Sequence, residues 1–175
     1  MSDTLPLDIR PVHIAELEEL RQLAKATFVT AFGSQNRPED MNKYVQESFS
    51  ITYFQQQFHT TGTFFFFACL GQEIVGYLKL NTEDAQTEQG VEQALEIERI
   101  YVLEHYQGRG LGQQLLDFSL NYARQLGKAW VWLGVWEKNQ GAIRFYERHG
   151  FTTFSQHDFY LGQDLQIDLL MKRRL

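Results

Sequence analysis

The chain has 175 residues, 43% of them apolar and 14% aromatic, and carries a net charge of −6 at pH 7. That length and composition suit one globular domain spanning 1–175 with a sizeable core, and they exclude a disordered chain, because only three prolines occur and no stretch is low in complexity. The acidic balance argues against a nucleic-acid binder, which carries a basic face, and permits a cationic ligand without requiring one.

No apolar run is long enough to span a bilayer, and MSDTLPLDIR lacks a charged-then-apolar leader pattern, so no membrane attachment is expected and the location is read as cytoplasmic. The single cysteine, Cys69, allows no internal disulfide and reads as a buried core thiol within FFFFACL. In chain order, Leu7–Arg10 suits a short strand ending at Pro11. Ile14, Leu17, Leu20, Leu23 and Ala24 then recur at helical spacing. GSQNRP (33–38) is a loop, and Pro38 followed by Glu39 and Asp40 opens a second helix carrying Met41, Tyr44, Val45 and Phe49. Residues 52–58 suit a further short helix.

The period then changes. TFFFFACL (63–70) and IVGYLKL (74–80) read as strands joined through Gly71-Gln72, a hairpin signal. Residues 82–93 are polar and acidic, a loop. A strand over 94–103, a turn over 104–110 and a helix over 111–126 follow, the helix with Leu111, Leu115, Phe118, Tyr122 and Leu126 in one stripe. Residues 129–136 (AWVWLGVW) form a buried strand, with Trp130, Trp132 and Trp136 as core or ligand wall. Residues 140–149 form a helix stopped by Gly150, and 151–154 and 165–171 are the last strands. Strands and helices both alternate and cluster, which predicts an α/β (α+β) fold with a mixed sheet.

The stretch QGRGLG (107–112) places three glycines and an arginine at the start of a helix. It admits two readings, a plain turn or an anion site in which bare backbone and free helix N–H groups receive a phosphate. It is neither a P-loop, since no Gly-Lys-Ser/Thr follows, nor the dinucleotide fingerprint. The strand before it is informative. In LEIERIYV, Leu95 and Ile97 are odd and Ile100 and Val102 even, so the inside–outside phase slips near Glu98-Arg99. That slip predicts a β-bulge unless the strand is buried on both faces. After the next strand, Asn139, Ala142 and Tyr146 share one helix face. Asn139 also suits an N-cap.

Taken together, the bulged strand, Gln107-x-x-Gly110-x-Gly112, helix, strand, Asn139-x-x-Ala142-x-x-x-Tyr146 and Gly150-Phe151 resemble the GNAT superfamily of acyl-CoA N-acyltransferases. LEIERIYV, WLGVWEKN, FFFF, VGYLKLN, DAQTE and Pro38–Met41 are similar to PaiA-type spermidine/spermine acetyltransferases, along nearly the whole chain. The resemblance implies a V-splayed sheet with flanking helices and acetyl-CoA as cosubstrate, held by Ile100, Tyr101, Val102, Gln107, Gly108, Arg109, Gly110, Leu111, Gly112, Gln113, Asn139, Ala142, Tyr146 and Arg148. Pantetheine is expected between strands 94–103 and 129–136, with the pyrophosphate on 107–112.

Acetyl transfer to an amine needs three things: loss of the ammonium proton, donors for the oxyanion, and an acid for the departing thiolate. The expected acid is Tyr146, and the expected oxyanion donor a backbone N–H near Ile100 or Tyr101. Glu98, backed by Glu96, is either the base or the partner of a nearby cation. Glu39, Asp40, Tyr44, Glu83 and Asp84 are either acceptor-binding residues for a polycation or a solvated acidic face. The five histidines have no ligand spacing, so no metal is implied. A small-molecule amine, most specifically a polyamine, is the expected partner of a monomer or homodimer. The alternatives are a protein N-terminus, a lysine or an antibiotic amine as acceptor, or a silent acetyl-CoA sensor.

Overall fold

The computed structural model describes residues 6–175. Its centre is one seven-stranded sheet in the order β1-β2-β3-β4-β5-β7-β6, built from Asp8–Pro11 (β1), Thr63–Leu70 (β2), Glu73–Thr82 (β3), Ala94–Val102 (β4), Trp130–Trp136 (β5), Thr152–Leu161 (β6) and Asp164–Arg174 (β7). All neighbours are antiparallel except β4 and β5, so the sheet is mixed. The last two strands run longer than their apolar cores (151–154, 165–171) because cross-strand pairing carries the polar ends of the hairpin.

Helices cover both faces. The face bearing Leu17–Phe32 (α1), Pro38–Ser48 (α2) and Ile51–Phe58 (α3) is filled by Leu20, Ala24, Phe28, Met41, Phe49 and Phe54 against Phe65, Phe67, Cys69 and Tyr77. The other face packs Leu111–Gln125 (α4) and Gln140–Arg148 (α5) through Leu111, Leu115, Leu116, Leu120, Ile143 and Tyr146 onto Phe66, Ala68, Leu78, Leu80, Leu95 and Ile97. Four consecutive phenylalanines in β2 thus serve two cores, because successive side chains leave a strand on opposite faces. The buried stripe of α4 differs from the expected one. Leu116 and Leu120 are inside and Leu126 is 41% exposed, since the helix rolls its i, i+4, i+5 edge onto the sheet while Phe118 and Tyr122 flank it against Phe66. Ile14 is exposed, in a short 3-10 turn ahead of α1.

The predicted phase slip is a bulge. Lys79 pairs with Arg99 and Leu80 with Ile97, which leaves Glu98 as the extra residue of β4. Its effect is to put Glu96, Glu98, Arg99 and Tyr101 on the α1–α3 side, while Leu95, Ile97, Ile100 and Val102 serve the α4 side.

Candidate active site

β4 and β5 are paired for three residues, Ala94–Glu96 against Trp130–Trp132. Beyond them β5 stays with β7 as far as Trp136, and β4 stays with β3 as far as Val102. The sheet therefore opens as a V. Leu103 N–H donates to the Val75 carbonyl at 2.8 Å. By the alternation of an antiparallel ladder, Tyr101 also faces β3, and the N–H groups of Ile100 and Val102 turn to the side that β5 has left. The gap is a cleft of about 390 Å³, lined by Ile97–Glu104 and Gln107 on one wall and by Leu133–Trp136, Asn139, Ala142 and Tyr146 on the other, with Thr27 and Phe32 of α1 above.

At the mouth of the cleft the 107–112 loop carries Gly108 at φ 75° and Gly110 at φ 77°, left-handed conformations that glycine adopts without strain. Gly110 is the N-cap of α4, and Gln114 N–H to the Gly110 carbonyl is the first bond of the helix. The N–H groups of Leu111, Gly112 and Gln113 lie in that unsatisfied first turn. A β-carbon added at Gly108 or Gly112 would meet nothing within 4 Å, so the loop is open to a ligand. Gln107 ties the loop to the strand by donating from Nε2 to the Val102 carbonyl at 3.0 Å. Across the cleft, the Asn139 side chain accepts from Ala142 N–H at 3.2 Å, capping α5. Tyr146 is buried on the same helix face, ringed by Phe145 and Phe151, and burial raises its phenol well above the ordinary tyrosine range.

A second cavity, about 260 Å³, lies on the α1–α3 side. Phe28, Phe32 and Tyr44 roof it. Tyr101, Trp132, Trp136 and Phe159 are its aromatic walls, and Glu96, Glu98, Arg99, His157, Gln166 and Asp168 are polar. Phe32, Glu98, Arg99, Tyr101, Gly134 and Trp136 line both cavities, so the two meet there. Trp136 Nε1 is a buried donor with no hydrogen-bond partner, as is Arg99 Nη1, whose guanidinium lies over the Phe49 ring at 4.7 Å on the α1–α3 side.

The carboxylates of this cavity are in different states. Glu98 is ion-paired with Lys79 and accepts from Asn81 Nδ2 at 3.1 Å. Burial pushes its carboxyl up, but the Lys79 ammonium and Arg99 guanidinium outweigh that and hold it below the usual range. Glu96 accepts from Asn81 Nδ2 at 3.0 Å and from the Thr87 backbone N–H at 2.8 Å, and burial raises it. Asp168 is also raised by burial, opposed by His157. His157 places Nε2 3.5 Å from Asp168 Oδ2 and Nδ1 2.8 Å from Glu88 Oε1.

Of the expected donor-site residues, Ile100, Tyr101, Val102, Gln107, Asn139, Ala142 and Tyr146 come together in the cleft. Gly108, Arg109, Gly110, Leu111, Gly112 and Gln113 form the loop and helix start beyond Gln107. There Leu111 is buried core and Arg109 lies over the Tyr106 ring. Arg148 is exposed on the last turn of α5 and lines neither cavity. Of the expected acceptor residues only Tyr44 reaches the second cavity. Glu39 is exposed beside Arg37, Glu83 pairs with Lys128, and Asp84 is exposed in the same turn. Asp40 is buried, but its Oδ1 accepts from Gln163 N–H at 2.9 Å and pins the β6–β7 turn to α2. Gly162 there has φ 61°, and a β-carbon would stand 2.6 Å from Asp40, so this acid is a structural bracket. The acids facing the cavity are Glu96, Glu98 and Asp168. Asp168 and His157 were missed by sequence reasoning, although an acid in the apolar run QIDLLM was a usable signal.

The residues present fit acetyl-CoA. The cleft offers unpaired strand N–H groups, the free first turn of α4 and an open glycine loop, which match a ligand rich in carbonyl and phosphate oxygens. Among the described residues no group of three or more His, Cys, Asp or Glu is placed to hold a metal ion, and no helix is long and apolar enough to cross a membrane.

The fold and the V-shaped cleft define an acyl-CoA-type transferase. Consistent with that, residues 17–151 match the acetyltransferase (GNAT) family, and the chain belongs to it. It is 41% identical over 169 residues to an uncharacterized N-acetyltransferase in the pepI 3' region of Lactobacillus delbrueckii subsp. lactis, covering 95% of this chain and 98% of that one. It is 36% identical to the spermine/spermidine N(1)-acetyltransferase of Bacillus subtilis (strain 168) over 64 residues, 36% of this chain and 42% of that enzyme, so this likeness is shorter than the motifs imply. In fold it is similar to the PaiA N-acetyltransferase of Thermoplasma acidophilum, solved in complex with coenzyme A, with TM-score 0.75, 18% identity and 97% and 99% of the two chains covered. The protein is thus an acetyl-CoA-dependent N-acetyltransferase of the GNAT family.

Proposed function

We propose that the protein acetylates a primary amine of an aliphatic polycation of the spermidine or spermine kind. The observation that carries this reading is the second cavity, where three carboxylates stand among aromatic rings and meet the donor cleft at Glu98, Tyr101 and Gly134. Carboxylates attract an ammonium, and ring faces stabilise a desolvated one. The part-length likeness to a spermine/spermidine acetyltransferase points the same way.

Acetyl-CoA supplies an acyl group on a thiol whose ordinary pKa, about 8.5, makes it a fair leaving group. The protein's share is orientation and proton handling. The N–H of Ile100, on the open side of β4, donates to the carbonyl oxygen as charge gathers there. Tyr146, kept protonated by burial, donates to the departing sulfur. Asn139 and Ala142 fix the start of α5, and with it the phenol. Lys79 and Arg99 keep Glu98 ionised and hold its carboxylate in place at the junction.

A thiol-release assay with acetyl-CoA and a panel of amines tests this. Spermidine and spermine are expected to exceed a peptide N-terminus, a lysine peptide and an aminoglycoside in kcat/KM by about tenfold or more, the size of one well-placed charge contact of about 1.4 kcal/mol. Turnover of peptides or aminoglycosides with none of polyamines overturns the acceptor assignment. Tight CoA binding with no turnover of any amine overturns the enzymatic one and leaves an acetyl-CoA sensor.

A further inference from the structure

An alkyl ammonium has a pKa of about 10.4, so it must lose a proton before it can attack at neutral pH. Neither acid on β4 is free to take it. Glu98 is committed to Lys79 and Asn81, and Glu96 to Asn81 and Thr87. Asp168 differs. It is the acid of β7 that lines the cavity, opposite Trp136 of β5 and His157 of β6, while Asp164 on the same side of the strand accepts from Gln166 Nε2 at 3.0 Å. Its Oδ2 lies 3.7 Å from the point where a β-carbon on Gly134 would stand, and Gly134 lines both cavities. The carboxylate is therefore beside the junction at which the amine and acyl group meet.

Behind Asp168 runs a short chain of titratable groups that ends in solvent. Asp168 Oδ2 faces His157 Nε2 at 3.5 Å, and His157 Nδ1 faces Glu88 Oε1 at 2.8 Å. Side-chain exposure rises along it from 21% at Asp168 to 27% at His157 and 44% at Glu88. A buried carboxylate, an imidazole bonded on both nitrogens and a surface carboxylate make a path out of the cavity. The other charged or titratable groups facing the pair are Glu96, Glu98, Arg99 and Tyr101 from β4 and Tyr44 from α2.

We propose that Asp168 takes the proton from the acceptor ammonium and that His157 passes it towards water at Glu88, a role that rests on the amine acetyltransferase reading above. An N–H bond of the ammonium breaks as an O–H bond forms on Asp168, which leaves a neutral amine with its lone pair free. The proton then moves to His157 Nε2 and restores the carboxylate. The imidazolium is stabilised between Asp168 and Glu88 and releases a proton from its solvent-facing side. Burial, which raises Asp168 as an acid, helps it to hold a proton for the interval between these steps.

The test compares wild type, Asp168→Asn and His157→Gln, using the amine that wild type turns over fastest. Asp168→Asn is expected to lower kcat/KM by about 10²-fold at pH 7, the usual scale of a lost proton acceptor. The deficit should shrink to a few-fold near pH 9.5, because the free-amine fraction rises about tenfold per pH unit below the amine pKa. The Kd for acetyl-CoA should not change. His157→Gln should make kcat depend on buffer concentration, with added imidazole restoring it. An Asp168→Asn deficit that is absent, or equal at both pH values, overturns the proposal. If that variant does not fold, as judged by loss of acetyl-CoA binding, His157→Gln decides alone, and turnover indifferent to buffer overturns the relay. Failure of wild type to acetylate any amine is a separate outcome that removes the underlying reading and the proposal with it.

Discussion

Replacing Glu98 with glutamine separates its part in the fold from any part in proton transfer. The Lys79 side chain is 2% exposed and that of Glu98 18%, so the variant leaves a buried ammonium facing a neutral amide. Breaking one side of a buried pair costs about 3–5 kcal/mol. Two features place this case near or below the low end. Lys79 also donates to Gln57 Oε1 at 2.7 Å, and the new amide oxygen can accept from it. A loss of about 2–3 kcal/mol corresponds to a Tm lower by about 4–12 °C in a domain of this size. Thermal melts followed by circular dichroism measure it, and the thiol-release assay runs alongside. Turnover per folded molecule is expected to fall by less than about tenfold, with the pH profile of kcat/KM keeping its shape. The sign of the acid dependence is fixed as well. A carboxyl held below its unfolded value contributes stability above that value and loses it as pH falls through the folded pKa, so this share of acid destabilisation should vanish in Glu98→Gln. A Tm within about 1 °C of wild type, together with a fall of about 10²-fold in kcat/KM and loss of its acid limb, would refute the reasoning and make Glu98 the base.

Other outcomes follow from the same geometry. Tyr146→Phe keeps the ring between Phe145 and Phe151, so Tm should hold while kcat falls by about 10²-fold with the acetyl-CoA Kd unchanged; unchanged kcat removes the acid role. Gly110→Ala forces a β-carbon into the left-handed region at φ 77°, costing about 1–2 kcal/mol and raising KM for acetyl-CoA more than KM for the amine; unaltered melting and KM refute the cradle. Asp168 has its folded pKa raised, so its contribution favours the folded state at low pH and is lost as pH rises through that value. The Tm difference between Asp168→Asn and wild type should therefore move in favour of the variant as pH rises from below the ordinary aspartate value of about 3.9 to neutrality, and a difference independent of pH over that span contradicts the burial argument.

Much of the donor half was legible in the residues because it is written locally. The bulge follows from the phase slip between Ile97 and Ile100, the loop from its glycines, and the α5 face from the spacing of Asn139, Ala142 and Tyr146. Each is a short-range pattern that the backbone obeys wherever the strand or helix ends up. The acceptor half was not legible in this way. Acidity singled out Glu39, Asp40, Glu83 and Asp84, yet two of these are committed to Lys128 and to the β6–β7 turn, and the others are exposed in solvent.

By itself the sequence pointed to the elements, the mixed sheet, a phase slip near Glu98-Arg99 and a glycine-rich turn opening a helix, since periodicity and glycine placement act over a few residues. Only the tertiary structure decided how far β4 and β5 stay paired, which acids face the cavity and which of those already have partners. The order of the strands brings Asp168 and His157 into one cavity with Glu96, about 70 residues away along the chain, and sets His157 Nδ1 against Glu88 at its solvent side. Whether a carboxylate is free to take a proton depends on the neighbours it meets there, and for Glu98 that neighbour is Lys79.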